Sequence, residues 1–463
     1  MSCEQRAQVA CEERFAERVE RALRTASDTR EVQIGEGVIA LTAEVFRRQF
    51  PESAAVVVAD RNTLRAAGHR VLGLCRQAGL PVTEPVVFED PDLHADYRHV
   101  ERLQSFLNGG GAVPIAVGSG TINDLVKLAA HLCGRPYMVV ATAASMDGFT
   151  ASGASITRHG LKETFFCPAP RAVIADLDIV SEAPGELNAA GYADLAAKTT
   201  AGADWILADA LGIEAIEPGA WDLVQRCLRQ WLMNPEAIQK GNRIAIRGLL
   251  EGLLMTGLAM QHCRSSRPAS GAEHQFSHLW DMEHHRHAGT VPLHGHKVGI
   301  GTLAVTMLYE ELLRYPLQLM DPQRICDRQP DLESVRRQVR QTHTLPELRD
   351  VSLREVEAKH PDRKQLLALL QRLREVWPDL RERLRDQLIP SRVLCRMLQQ
   401  AGAPCRPEAI GIDLPRLRRS YLAAQQIRRR FTVLDLATLT GLLPECLERL
   451  FARGGAWEQL GHE

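Results

Sequence analysis

Between residues 30 and 180, five short apolar runs alternate with helical patterns. They are Ala54–Ala59, Pro85–Phe88, Val113–Val117, Met138–Ala144 and Ala172–Ala175. A strand with one wet face alternates apolar and polar residues. These runs are instead continuous and rich in Val and Ala, as strands of a parallel sheet covered on both faces must be. Helical stretches Leu64–Ala78 and Ile122–Leu132 lie between them, so the region reads as a doubly wound α/β domain. After Pro184 strand signals almost vanish. Helical patterns follow at Ala189–Leu211, Ala220–Leu232, Asn242–Cys263, Ser270–Glu283 and His296–Tyr315. The stretch Ser334–Leu388 is strongly charged and reads as an amphipathic bundle, and a helical tail completes the chain. Pro316–Gln329 is the softest boundary.

Bulk properties exclude several classes. With 463 residues, 45% apolar and 24% charged, the chain can build more than one core. A net charge of -1 offers no basic field for nucleic acid or anionic lipid. The first 27 residues read as a polar helix without a signal-peptide core. No run reaches the ~18 apolar residues of a membrane span; the best candidate, Leu249–Met260, is short and carries Glu251. Eleven cysteines without a CxxC pair argue for reduced thiols in a cytoplasm, not for a disulfide framework.

Two loops carry candidate chemistry. In VPIAVGSGTINDL an apolar run enters Gly118-Ser119-Gly120-Thr121 and then a helix. Glycines let a backbone approach a pyrophosphate, and the N–H groups of a helix start point at the anion. The spacing departs from GxGxxG, with Asn123 and Asp124 where a third glycine would be sought, and a purely structural turn reads equally well. Asp60, ending AAVVVAD, suits a ribose hydroxyl or simply caps the next helix. In VVATAASMDGFTASG, Thr142, Ser145 and Asp147 would sit beside the sheet's carboxyl edge, unless Asp147 and Gly148 only make a tight corner.

Seven of the sixteen histidines fall between His274 and His296. Ser270-Gly271-Ala272-Glu273 reads as a capping box that starts a helix, placing His274 and His278 at i and i+4 on one face. His294 follows just before another helix. Neutral imidazole is the commonest transition-metal ligand. His284, His285 and His287, in EHHRHAG, read as solvated. Asp194, in a small-residue helix, is a candidate third ligand, or it pairs with Lys198 one turn on.

Together, GSGTINDLVK, ATAASMDGFTASGAS, AGYADLAAKTTAGADW, SRPASGAEHQFSHLWDM and LHGHKVGIGTL resemble the sn-glycerol-1-phosphate dehydrogenase family. That family lies in the superfamily of dehydroquinate synthase, glycerol dehydrogenase and iron-containing alcohol dehydrogenase. RRRFTVLDLATLTGLL also looks like its bacterial branch. The resemblance implies a dehydroquinate synthase-like fold: an α/β Rossmann-like dinucleotide-binding domain over 1–180 and an all-α metal- and substrate-binding domain over 181–463, with an extended helical tail from about 330.

It further implies one divalent metal, Ni²⁺ or Zn²⁺, on Asp194, His274 and His294, and NAD(P)H on Gly118, Ser119, Gly120 and Thr121. Asn123 and Asp124 lie alongside, Asp60 lies near the adenine ribose, and Thr142, Ser145 and Asp147 approach the nicotinamide and substrate. Iron alcohol dehydrogenases have a further His one turn after the metal-binding Asp. Lys198 stands there, which suggests a three-ligand zinc- or nickel-type site. Arg267, seven residues before His274 as in the dehydroquinate synthase pattern, suits a substrate phosphate unless it is a surface residue. Lys162, in RHGLKETF, suits the same phosphate or is a solvated loop lysine.

The expected reaction is reversible reduction of dihydroxyacetone phosphate to sn-glycerol 1-phosphate. Asp147, His278 and Lys198 are the candidate catalytic residues. The rivals are a polyol dehydrogenase without phosphate preference, a lyase of the dehydroquinate synthase type, and a non-catalytic metal-dependent scaffold. The expected partners are a small phosphorylated ketone or alcohol and a second copy in a homodimer, with neither nucleic acid nor membrane.

Overall fold

The structure, a computed structural model, describes residues 15–158 and 161–460. Six parallel strands form one sheet: β1 (Glu31–Gly35), β2 (Ala55–Asp60), β3 (Val86–Phe88), β4 (Val113–Gly118), β5 (Met138–Ala141) and β8 (Ala172–Asp176). Their order is β1-β8-β5-β4-β2-β3. All five expected runs are strands, and every residue of β4, β5 and β8 is buried. Two features were not legible. The edge strand β1, EVQIG, is half-buried throughout and too polar to read as an apolar run. The hairpin of β6 (Ala154–Arg158) and β7 (Leu161–Phe165), which pairs Thr157 with Lys162, is short and mixed in polarity.

From β3 the chain returns to the other side of β2 to lay down β4, so strand order reverses between β2 and β4. Open α/β sheets bind ligands outside the carboxyl ends at such a point. Val58 pairs with Ala116. Two residues further along, Asp60 ends β2 and Gly118 ends β4.

By contact the chain divides into two compact units, Met1–Leu195 with Pro218–Pro268, and Ala196–Glu217 with Ala269–Glu463. In the first unit, Phe46, Val57, Ile115, Val140 and Ile174 share one core beneath the sheet. Burying each such side chain contributes about 1.5–3 kcal/mol. Of the N-terminal helix expected over 1–27, the described part is helical over 15–25. The helix Arg243–Cys263 is long and apolar enough to cross a membrane, but 83% of that window is buried inside the protein, as in a core helix. Its Gly257 is required there, because a Cβ would lie 2.1 Å from the Thr150 hydroxyl. The run expected over Ala189–Leu211 is two helices, Gly185–Ala196 and Lys198–Ala210, with Ala197 between them.

The second unit is helical among its described residues. Ala272–Met282 packs on His294–Leu312, and Gly301 permits the approach: a Cβ there would meet the Glu273 carbonyl at 2.4 Å. Phe276 sets its ring edge-on to Tyr421 at 5.0 Å, and Trp280 donates to the Ser420 hydroxyl at 2.9 Å. In the charged stretch, Leu366, Leu370, Leu373, Trp377, Leu380 and Leu384 form the buried stripe of the helix Arg363–Gln387. That is the amphipathic pattern expected of it. The nine described cysteines are all free thiols; Cys3 and Cys11 lie outside the described residues.

Candidate active site

In the first unit, Gly118 and Ser119 link β4 to the helix Gly120–Leu132. Ser119 is the N-cap residue and its side chain makes no cap bond. The first turn's N–H groups are the orphan donors of a helix start. The Ser119 hydroxyl instead meets that of Ser145, joining the two loops. A Cβ on Gly120 would stand 3.3 Å from the Met146 methyl. Asn123 is buried: its amide donates to Gly148 O at 3.1 Å and its oxygen accepts from Tyr137 at 3.0 Å. Asp124 accepts from Ser155 N at 3.2 Å and pairs with Lys127 at 3.6 Å. Burial raises the Asp124 pKa against the pull of Lys127 and Lys162. Both residues therefore hold the second loop and β6. Asp60 Oδ1 caps the helix after β2, accepting from Asn62 N and Thr63 N at 2.8 Å each.

The second loop is fixed to the helix Gly185–Ala196 at three points. Asn188 accepts from Ala144 N at 2.9 Å, and Asp194 Oδ2 accepts from Asp147 N at 3.0 Å. Between them, a Cβ on Gly191 would lie 1.7 Å from Ala144 O, so only glycine fits. Asn188, Gly191 and Asp194 are spaced by three and share a face. Thr142 is buried and donates its N–H to Gly118 O at 3.1 Å. Lys162 stands on β7, half-buried. Arg267 is 1% exposed, which corrects the surface reading.

In the second unit, three imidazoles form a triangle. Ring centroids are 5.4 Å apart for His274–His294, 6.3 Å for His274–His278 and 6.4 Å for His278–His294. His274 Nδ1 lies 2.8 Å from Glu273 Oε1. A carboxylate only accepts, so Nδ1 carries the proton and Nε2 keeps a lone pair for a metal. Burial pushes the Glu273 pKa up. His274 and Gly271 N outweigh it, and the carboxyl is held below the usual range. Thr200 donates to its other oxygen at 2.8 Å. His294 Nδ1 lies 3.4 Å from the Ser277 hydroxyl. His278 has its pKa depressed well below 6.5 by burial and then by Arg428, His274 and His294, so it is neutral. Lys198 is fully buried at the start of its helix.

The expected capping box is half present. Glu273 reaches back to Gly271 N at 2.6 Å, but the N-cap is Gly271 and not Ser270. Asp204 supplies the missing acceptor, taking Ala272 N at 2.7 Å. A second correction concerns EHHRHAG. His284 and His287 are exposed, but His285 is buried. Its Nε2 donates to Ile410 O at 2.6 Å and its Nδ1 accepts from Arg416 at 2.7 Å.

Within the second unit the rings of His274 and His294 lie 5.4 Å apart by centroid, and within the first unit Asp194 is fully buried. Two imidazoles and a carboxylate are the kind of donor set that suits a transition-metal dication with an open position.

Known proteins bear on this arrangement. Residues 33–184 match the model of the iron-containing alcohol dehydrogenase family. The glycerol-1-phosphate dehydrogenase [NAD(P)+] of Halalkalibacterium halodurans is 38% identical over 57% of this chain and 66% of its own length. That of Geobacillus thermodenitrificans is 32% identical over 82% of this chain and 85% of its own. Among solved structures, glycerol dehydrogenase from Schizosaccharomyces pombe is 16% identical. It covers 95% of this chain and 93% of its own, with a TM-score of 0.59. A probable glycerol dehydrogenase from Sinorhizobium meliloti is 16% identical, covers 91% and 98%, and has a TM-score of 0.57. At that identity the structures speak for the fold alone.

Proposed function

The chain belongs to the glycerol-1-phosphate dehydrogenase [NAD(P)+] family, and on that premise we propose that it reversibly reduces dihydroxyacetone phosphate to sn-glycerol 1-phosphate. The observation that carries the reading is 32% identity spanning 85% of a relative of that name. NAD(P)H is the reductant and a divalent cation, Ni²⁺ or Zn²⁺, the resident metal.

Asp194, His274 and His294 would hold the metal, which supplies Lewis-acid polarisation of the ketone oxygen, while the nicotinamide supplies hydride. The chain's own residues do the rest. Glu273 fixes the tautomer and ring plane of His274. The Gly118–Thr121 turn offers N–H donors to the pyrophosphate. Thr142, Ser145 and Asp147 line the loop toward the nicotinamide, and Asp60 stands by the ribose with Asn123 and Asp124 behind. His278, neutral at physiological pH, and Asp147 are the candidate proton donors through water; Lys198 is retained as a candidate. Arg267 and Lys162 are assigned to the substrate phosphate. The working assembly is a homodimer, the commonest closed symmetry, in the cytoplasm.

Chelator-treated protein should lose NAD(P)H oxidation with dihydroxyacetone phosphate and regain it on addition of Ni²⁺ or Zn²⁺. Turnover unaffected by complete metal removal, or none after reloading with either ion, would overturn the reading.

A further inference from the structure

The run Arg428-Arg429-Arg430 sets three like charges side by side, and each arginine has a different fate. Arg429 forms a bidentate pair with Glu355, at 2.8 and 3.1 Å. Arg430 donates to Ser270 O at 2.7 Å, immediately before the helix that carries His274 and His278. Gln275, on that helix, donates to Arg430 O at 3.4 Å. The chain just beyond is tied to the same place, because Asp204 accepts from both Ala272 N and Val433 N, at 2.7 and 2.8 Å. Lys359 clamps the turn from behind, donating to Arg428 O at 2.9 Å and pairing with Asp435 at 2.7 Å. The segment is thus a built part of the histidine helix's surroundings and not a loose tail.

Arg428 is the one arginine of the three that the turn does not consume. Its carbonyl is held, but among the described residues its guanidinium makes no hydrogen bond or ion pair. It is half-buried, and burial lowers its pKa against the pull of Glu355. It stands two residues before Arg430, whose side chain donates to Ser270 O at the start of the histidine helix. A partly desolvated guanidinium with no carboxylate in hydrogen-bond contact is costly to keep, and a planar fork of donors suits phosphate oxygens.

We propose that Arg428 binds the phosphate monoester of the substrate beside the His274–His278–His294 face. The assignment rests on the reading above and adds a specificity residue to it. Because the turn is held through the Arg428 carbonyl and through Arg429 and Arg430, replacing the guanidinium leaves the turn in place.

The test compares wild type, Arg428→Gln and Arg428→Lys after metal loading. Inorganic phosphate serves as a probe that needs no turnover. Phosphate should raise the melting temperature of wild type and inhibit it competitively against dihydroxyacetone phosphate. Arg428→Gln should lose the thermal shift and weaken inhibition about tenfold or more, with KM for dihydroxyacetone phosphate rising in parallel. Arg428→Lys should recover part of both. Metal content and the NADH dissociation constant should be unchanged. Phosphate protection and KM equal to wild type in Arg428→Gln would overturn the proposal. So would weakened NADH binding, which would assign the arginine to the nucleotide's phosphates, or loss of metal, which would make it a structural support. Wild type that oxidises no NAD(P)H with dihydroxyacetone phosphate would instead overturn the underlying reading.

Discussion

Asp194 Oδ2 accepts a hydrogen bond from the backbone N–H of Asp147 at 3.0 Å. One carboxylate therefore anchors the second loop and is also the ligand we propose for the metal. The two roles separate by mutation. Asp194→Asn keeps an acceptor for Asp147 N but loses the charge, so metal content should fall while the folding transition moves little. Asp194→Ala removes both and should also destabilise by about 1–3 kcal/mol, the cost of an unsatisfied buried N–H. His274→Ala should lose metal like Asp194→Asn, and exposed His284→Ala should not. Elemental analysis with thermal melts decides it, and full metal content in His274→Ala would sink the ligand assignment.

Gly120→Val probes the nucleotide loop. Its Cβ would stand 3.3 Å from the Met146 methyl and, on the proposed reading, over the approach of the pyrophosphate. NADH affinity should fall about tenfold or more while metal content holds. Unaltered fluorescence titration would make the loop a structural turn only.

His285 supplies a stability prediction. Its neutral ring joins Ile410 O to Arg416, so His285→Ala should cost about 1–3 kcal/mol by leaving Ile410 O without its donor, while Arg416 keeps Glu283. Burial lowers its folded pKa below 6.5. The sign follows: protonation favours the unfolded chain, so its contribution is complete above pH 6.5 and declines as pH falls from there through the folded value. Denaturant melts of the variant should show a shallower loss of stability below pH 6.5. A neutral substitution would return His285 to the solvated set.

Arg267 is buried with only 1% exposure. Arg267→Ala should lower kcat/KM for dihydroxyacetone phosphate by about 2–4 kcal/mol, as for truncating one partner of a buried charge pair. The small activity on dihydroxyacetone should change much less. Equal losses on both substrates would make it a support of the fold.

The sheet was legible because β4, β5 and β8 are buried throughout and therefore read as nearly continuous apolar runs. β1 was not, because an edge strand carries Glu31 and Gln33. Local sequence placed His274 and His278 on one helix face, but could not tell His285 from His284, since the partners of His285 lie more than a hundred residues downstream. It made Ser270 the cap, because the carboxylate that replaces it, Asp204, is likewise remote in sequence. Arg428 was missed for the same reason: a run of three arginines is alike in sequence until Glu355 and Ser270 remove two of them.

The most direct test of the central claim measures NAD(P)H oxidation by metal-loaded protein with dihydroxyacetone phosphate and with dihydroxyacetone side by side. A phosphate-reading dehydrogenase should favour the phosphorylated ketone by about a hundredfold or more in kcat/KM, the scale of one lost charge-assisted contact. Equal or greater turnover of dihydroxyacetone would contradict the account and make the chain a polyol dehydrogenase.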